Sequence, residues 1–166
     1  GPQRANEAHL SYVSKQMTEA SATAAGLAFK VNAKTKAKFA FAGVEPAVIL
    51  NADWQEWDEG SGHIKGYVRS NRRVELVKVS TSGFHLTRAN LPILAANEQK
   101  DRLTLRLAAP TQGTPHLRVQ SDHRLQRATL AGKDVKVADI GGKYDLGLPP
   151  FTKESELILY FLETSH

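Results

Sequence analysis

The chain has 166 residues, of which 41% are hydrophobic and 23% charged, and this composition excludes an intrinsically disordered chain. It contains no cysteine, which excludes a disulfide framework and cysteine-based metal sites or nucleophiles. The formal net charge is +5, and no apolar run approaches the ~20 residues of a membrane-spanning helix.

The N-terminal segment predicts a helix over Ala5–Ala25. Three large apolar residues recur there at helical spacing: Leu10, Val13 and Met17. Gly26 follows where a left-handed residue ends a helix. We therefore expect two units, an N-terminal helix over 1–26 and a β-domain over 27–166. The dipeptide Gly1-Pro2 is typical of a cleaved purification tag, so we expect an excised fragment of a longer protein.

From residue 27 onward, apolar and polar residues alternate, which is typical of strands with one buried and one wet face. The pattern predicts these strands: Leu27–Val31, Lys36–Phe41, Ala47–Leu50, His63–Arg69, Val74–Val79, Phe84–Thr87, Arg102–Ala108, His116–Gln120, Leu125–Leu130, Val135–Ala138, Lys143–Leu148 and Glu156–Leu162. Turn residues separate them, so the predicted fold is mainly β, an antiparallel β-sandwich with an N-terminal α-helix.

Three details of this pattern lead to further predictions. The short connection 32–35 predicts a hairpin between the first two strands. Residues Ala89–Lys100 lack alternation and predict a long loop. The strand Glu156–Leu162 is apolar on both faces, which favours a position in the centre of a sheet.

Both tryptophans of the chain lie in one acidic segment, which makes it a candidate ligand surface. Its residues are Trp54 and Trp57 with the carboxylates of Asp53, Glu56 and Asp58. Aromatic rings beside carboxylates suit sugars, because rings pack on C–H faces and acids accept hydroxyl hydrogen bonds. In an extended strand, however, the two indoles point to opposite faces. One indole in the core and the other over a sheet edge is then the alternative. A third reading is a hydrolase that uses Asp53 with Glu56 or Asp58.

Basic residues are concentrated between His63 and Lys136, with fourteen lysines or arginines against five acids. Such an excess favours an anionic partner, unless the charges only solvate the outer faces of strands. Arg69, Arg72 and Arg73 are the candidate anion contacts. The six histidines do not have metal-ligand spacing, and no catalytic motif is present. We therefore expect no metal, no cofactor and no enzymatic activity.

Five segments in the last third of the chain share the rhythm of a known domain. They are Leu103–Leu107, His116–Val119, Arg124–Val135, Tyr144–Pro150 and Glu156–Leu162. Over residues 102–163 they resemble the non-catalytic C-terminal β-domain of membrane-anchored M28-family metallopeptidases. The zinc ligands of that family lie in a separate domain, and nothing in this chain matches them. The resemblance implies an extracytoplasmic accessory domain without catalysis.

The expected function is a non-catalytic binding or assembly domain of a larger, membrane-anchored protein. We expect it outside the cytoplasm (periplasmic, lumenal or cell-surface), with a protein partner and no nucleic acid, and with membrane attachment through other segments of the parent. One alternative is a carbohydrate-binding module that uses Trp54 and Trp57 to bind a glycan. Another is a pilin-like structural subunit, in which an N-terminal helix precedes a β-sheet.

Overall fold

The computed structural model describes residues 9–13, 17–22, 27–31, 36–42 and 47–165. Within these ranges the chain forms strands and one short 3₁₀ turn, Thr81–Gly83. The strands, numbered in chain order, are β1 (His9–Val13), β2 (Met17–Ala22), β3 (Leu27–Val31), β4 (Ala37–Ala42), β5 (Ala47–Leu50), β6 (Trp54–Asp58), β7 (His63–Val68), β8 (Arg72–Lys78), β9 (His85–Ala89), β10 (Ile93–Gln99), β11 (Arg102–Leu107), β12 (His116–Gln120), β13 (His123–Leu130), β14 (Lys133–Asp134), β15 (Val137–Ile140), β16 (Lys143–Gly147) and β17 (Ser155–Ser165).

These strands form three antiparallel sheets, which confirms the expectation of a mainly β, antiparallel fold. The largest sheet has eight strands in the order β1-β4-β7-β6-β9-β12-β16-β15. A five-stranded sheet has the order β10-β11-β17-β13-β14, and a four-stranded sheet has the order β2-β3-β8-β5. As the doubly apolar sequence predicted, β17 lies in the centre of its sheet, between β11 and β13.

One face of the eight-stranded sheet is buried against both smaller sheets. Its residues Leu117, Val119 and Leu146 belong to one apolar cluster with Leu105 and Leu159 of the five-stranded sheet. A second cluster joins large residues of β4 and β7 to the four-stranded sheet; its members include Phe39, Phe41, Ile64, Ile49, Val74 and Leu76. Alternation along the strands turns the other face away from these clusters, and that face carries the candidate site.

Strands occupy the region where the sequence predicts an N-terminal helix. In β1, Leu10 is opposite Phe41 of β4, and in β2, Ala20 is opposite Phe29 of β3. The helix expectation is therefore wrong for residues 9–13 and 17–22, while 1–8, 14–16 and 23–26 lie outside the described residues. Three large apolar groups make a thin helical stripe, and backbone pairing with existing strands outweighs that weak local preference. Both strands pair with strands that begin after residue 26, so their hydrogen bonds cross the expected domain boundary.

Two other local expectations are also corrected. The strands β3 and β4 do not form a hairpin with each other, because β3 pairs with β2 and β8 whereas β4 pairs with β1 and β7. The expected loop over Ala89–Lys100 contains β10, which pairs with β11 along its whole length. A register shift between Ile93 and Ala95 interrupts the alternation that would have revealed this strand.

Glu98 at the end of β10 anchors the turn that follows β8. Its Oε1 accepts hydrogen bonds from the Ser80 amide (2.7 Å), the Thr81 amide (2.8 Å) and the Thr81 hydroxyl (2.8 Å). Burial raises the pKa of this carboxyl, but the three hydrogen bonds outweigh that effect and leave the pKa below its usual value. The ionised carboxylate is thus the form that stabilises the turn.

We expect Glu98→Ala to lower the free energy of unfolding by about 1–2 kcal/mol near neutral pH, because three donors lose a charged acceptor. The folded-state pKa is lowered, so this contribution is present above the unfolded pKa and is lost as pH falls through the folded value. Urea unfolding of both proteins from neutral pH to below pH ~4 measures the difference. A difference that stays constant over this range would contradict the assignment.

Candidate functional site

The outward face of the eight-stranded sheet brings an indole, a phenol and several lysines together. Lys38 of β4 is opposite Tyr67 of β7, and Tyr67 is opposite Trp54 of β6. One pair further along β7 and β6, Lys65 is opposite Glu56. Since partners in register share a face, these side chains lie on one surface.

The rings of Trp54 and Tyr67 stack on each other. Their centroids are 5.5 Å apart and their planes differ by 14°. The Lys36 ammonium lies 3.9 Å from the centroid of the Tyr67 ring, and the Arg69 guanidinium lies 5.1 Å from it. Arg69 also donates a hydrogen bond from Nη2 to the Tyr67 hydroxyl, at 3.2 Å. The pair is therefore a half-buried aromatic unit with cations held against it.

An open cleft of about 420 Å³ adjoins this stack, and we call it the aromatic cleft. It is lined by Lys36, Lys38, Trp54, Lys65, Gly66 and Tyr67. Gly66 is required beneath it, since a Cβ there would lie 2.9 Å from the Phe39 ring and 3.0 Å from the Trp54 carbonyl. The absent side chain lets β4, β7 and β6 pack closely under the cleft.

Trp57 does not join Trp54 in one platform. The segment is an extended strand, so two residues three positions apart point to opposite faces. Trp57 is opposite the buried Ile64 and stacks on His85, with ring centroids 4.3 Å apart and planes 14° apart. The indoles are therefore on opposite faces, but both are half-buried and β6 is an inner strand, so neither indole is a core residue or covers a sheet edge.

Asp53 is engaged within the fold. Its side chain is buried, and Oδ1 forms an ion pair with Arg72 Nη1 at 3.1 Å. Oδ2 accepts the backbone N–H of Arg69 at 2.7 Å. The same Arg72 nitrogen donates to the Asn51 carbonyl at 3.3 Å. The ion pair between Asp53 and Arg72 thus holds together the segments that lead into β6 and β8. Both side chains are engaged in contacts within the fold and are not positioned to bind a ligand.

The remaining candidates from the sequence lie at different places. Asp58 accepts hydrogen bonds from the Ser61 hydroxyl (2.9 Å) and the Gly60 amide (3.0 Å), and these two contacts lower its pKa. Glu56 is half-buried on the outward face, beside Lys65. Arg73 is exposed on β8 of the four-stranded sheet and is not among the residues that line the aromatic cleft. Of the eight sequence candidates, Trp54 lines this cleft, Glu56 lies next to it, and Arg69 contacts its Tyr67.

A row of charged residues continues from the aromatic cleft across the sheet. Successive partners in register are Lys65, Glu56, Arg88, Arg118 and Asp145. Arg118 donates from Nε to Asp145 at 2.6 Å, and this contact lowers the pKa of Asp145. Burial lowers the pKa of the neighbouring His116; Asp145 opposes this shift, while Arg88 and Arg118 add to it. His116 is therefore predominantly neutral at pH 7.

Tyr67 and the three lysines of the cleft were not among the site residues predicted from the sequence. A signal was present, because Lys36-Ala-Lys38 and Lys65-Gly-Tyr67-Val-Arg69 place every second residue on the polar face of a strand. The sequence does not show that β4, β7 and β6 are neighbours, and that neighbourhood creates the cleft.

A larger cleft, of about 560 Å³, lies between residues 120–123 and 141–143, and no phenylalanine, tyrosine or tryptophan lines it. Among the described residues, no three histidine or acidic side chains converge as a metal site would require. The part of the chain that the structure describes has no helix that combines the length and the apolar character needed to span a membrane. Comparisons of the chain with protein-family models, with curated proteins and with solved structures found no match.

Proposed function

We propose that this chain is a non-catalytic carbohydrate-binding domain with a β-sandwich core, and that the aromatic cleft is its ligand site. The observation that carries the proposal is the stacked Trp54–Tyr67 pair in an open cleft on the outward sheet face. The sandwich is supported by the two apolar clusters that the eight-stranded sheet shares with the smaller sheets.

The chemistry of the cleft suits a sugar ring. An indole offers a flat apolar surface for the C–H face of a pyranose, and lysine ammonium groups donate hydrogen bonds to hydroxyl or acidic oxygens. Stacking on Tyr67 fixes the orientation of the indole before a ligand arrives, so little side-chain entropy is lost on binding. This assignment replaces Trp57 by Tyr67 in the glycan site expected from the sequence.

We expect Trp54→Ala to weaken glycan binding about tenfold, since an aromatic contact of this kind contributes on the order of 1 kcal/mol or more. Affinity electrophoresis in gels that contain neutral or acidic polysaccharides measures the retardation. Trp57→Ala is the matched control, because it removes the other indole from the opposite face of the same strand.

Fluorescence gives a second readout of the same site. The chain has two tryptophans, so Trp57→Phe leaves Trp54 as the only indole. Its emission should shift on addition of the retarding glycan, whereas Trp54→Phe should show no shift. The proposal fails if no polysaccharide retards the parent chain, or if Trp54→Ala is retarded as strongly as the parent.

A protein partner and an extracytoplasmic, membrane-anchored parent stay predictions from the sequence. The end strand β15 supports a protein contact: it pairs with β16 on one side, and Ile140 on it is 63% exposed. The pilin-like alternative depended on an N-terminal helix, and β1 and β2 occupy the described part of that region.

A further inference from the structure

The aromatic cleft has an excess of positive charge. Lys36, Lys38, Lys65 and Arg69 lie on it or against its Tyr67. Among the described residues, two carboxylates share this part of the face, those of Glu56 and Asp58. The oxygens of Asp58 already accept hydrogen bonds from its own turn. Among the described residues, cations outnumber carboxylates here, and this excess creates a positive potential where a ligand would enter.

A second positive centre lies along the same row. Arg88 and Arg118 are direct partners in register, and like charges so placed repel each other. Asp145 forms its ion pair with Arg118. Among the described residues, no carboxylate forms an ion pair with Arg88 or with Lys65. An anionic group of a ligand would relieve the repulsion at Arg88 and would neutralise Lys65.

The two centres are separated by a distance that one short chain can bridge. Lys65, Glu56, Arg88 and Arg118 lie on four neighbouring strands, β7, β6, β9 and β12. Three strand spacings amount to about 14 Å measured across the sheet. The row runs perpendicular to the strands and starts at the aromatic cleft.

We propose that the ligand is an acidic polysaccharide laid across the strands, with one sugar packed on Trp54 and its acidic groups on Lys36, Lys65 and Arg88. This rests on the proposed carbohydrate-binding function and adds the class of ligand. The acidic group is a carboxylate or a sulfate, since both accept hydrogen bonds from ammonium and guanidinium groups.

The same charges would attract single-stranded nucleic acid, but the rings of the site disfavour it. Such sites stack successive bases on several open aromatic faces. Here Tyr67 already has Trp54 stacked on its ring, and Lys36 and Arg69 lie against it. Among the side chains that the structure describes, one indole remains for stacking, which is enough for a single sugar subsite and too little for a run of bases.

The test measures the binding of four probes by titration calorimetry at low and high sodium chloride. Oligogalacturonate carries carboxylates, its carboxyl-reduced form is the neutral counterpart, a heparin oligosaccharide carries sulfates, and oligo(dT) carries phosphates. We expect one of the two acidic saccharides to bind at least tenfold more tightly than the neutral one, with affinity that falls as salt rises. Which acidic saccharide binds identifies the acidic group.

Charge variants locate the contact. Lys65→Gln and Arg88→Gln should each weaken binding of the acidic saccharide about fivefold, as the loss of one charge-assisted hydrogen bond would. Lys133→Gln makes the same change at an exposed position of the five-stranded sheet and should leave the affinity unchanged. Each variant keeps the fold if its thermal unfolding matches that of the parent.

The outcomes separate this inference from the proposed function. Equal, Trp54-dependent binding of the neutral and acidic forms would overturn the acidic ligand and leave the carbohydrate-binding function intact. Binding of oligo(dT) more tightly than either acidic saccharide, with loss in Lys65→Gln and Arg88→Gln, would overturn both. If an acidic saccharide binds tightly and none of these variants weakens its binding, the row of charged residues is not the binding site and the inference is overturned.

Discussion

Leu159→Asp is expected to lower the free energy of unfolding by more than about 4 kcal/mol, at the upper end of what single substitutions cause. Leu159 is fully buried and lies in β17, the central strand of its sheet, between Leu103 of β11 and Ala128 of β13. An aspartate there would place a carboxylate among the apolar side chains of the cluster. Equilibrium urea unfolding, followed by circular dichroism, measures the change.

Ile158→Asp is the matched control, because the neighbouring residue on the same strand points to the opposite, half-exposed face. It should cost much less than Leu159→Asp. If the aspartate variant at 159 does not fold, Leu159→Ala gives the same test, with an expected loss of about 2–5 kcal/mol. Values within about 1 kcal/mol of the parent would show that β17 is peripheral.

Gln55→Leu is expected to lower the free energy of unfolding by about 3–5 kcal/mol, although it replaces a polar side chain by an apolar one of similar size. The Gln55 amide is fully buried on β6 and bonds both backbone groups of Ile49 in β5. It accepts from the Ile49 amide at 2.9 Å and donates to the Ile49 carbonyl at 2.8 Å. Leucine would leave both groups buried without a partner.

Gln126→Leu makes the same chemical change at an exposed position of β13 and should alter stability by less than about 0.5 kcal/mol. Thermal and urea unfolding of the two variants and the parent give the comparison. Similar losses at both positions would mean that Gln55 does not tie the eight-stranded sheet to the four-stranded sheet.

Local patterning predicted much of the secondary structure. The bounds of β3, β5 and β12 were predicted to the residue, and those of β7, β11 and β16 to within one. Most of these strands alternate polar and apolar residues, so period 2 is visible in the sequence, whereas β5 is apolar throughout. Some strands escaped prediction, among them β6 and β14, which the predicted strands do not include. In β10 a register shift breaks the alternation, and in β1 and β2 the residues fit a thin helical stripe as well as a strand.

The candidate site was predicted only in part, because the sequence does not show which strands are neighbours. The sequence singled out Trp54 because tryptophan is rare in this chain and sits beside acids. The predicted site combined Trp54 with Trp57, which lies three residues further along the chain. The pairing of β6 with β7 instead places Tyr67 against it. The sequence indicated Asp53 as a candidate carboxylate for binding or catalysis, but in the fold its side chain forms an ion pair with Arg72.

By itself, the sequence determined that the chain is mainly β and antiparallel, that β17 is a central strand, and that basic residues occupy the polar faces of strands. Those properties depend on the order of side chains along one strand, which the sequence records directly. Only the tertiary structure decided that β3 and β4 enter different sheets and that Lys36, Trp54, Lys65 and Tyr67 share one cleft. Such proximity depends on which distant strands exchange hydrogen bonds, and backbone groups are alike in every strand, so no single segment encodes the choice.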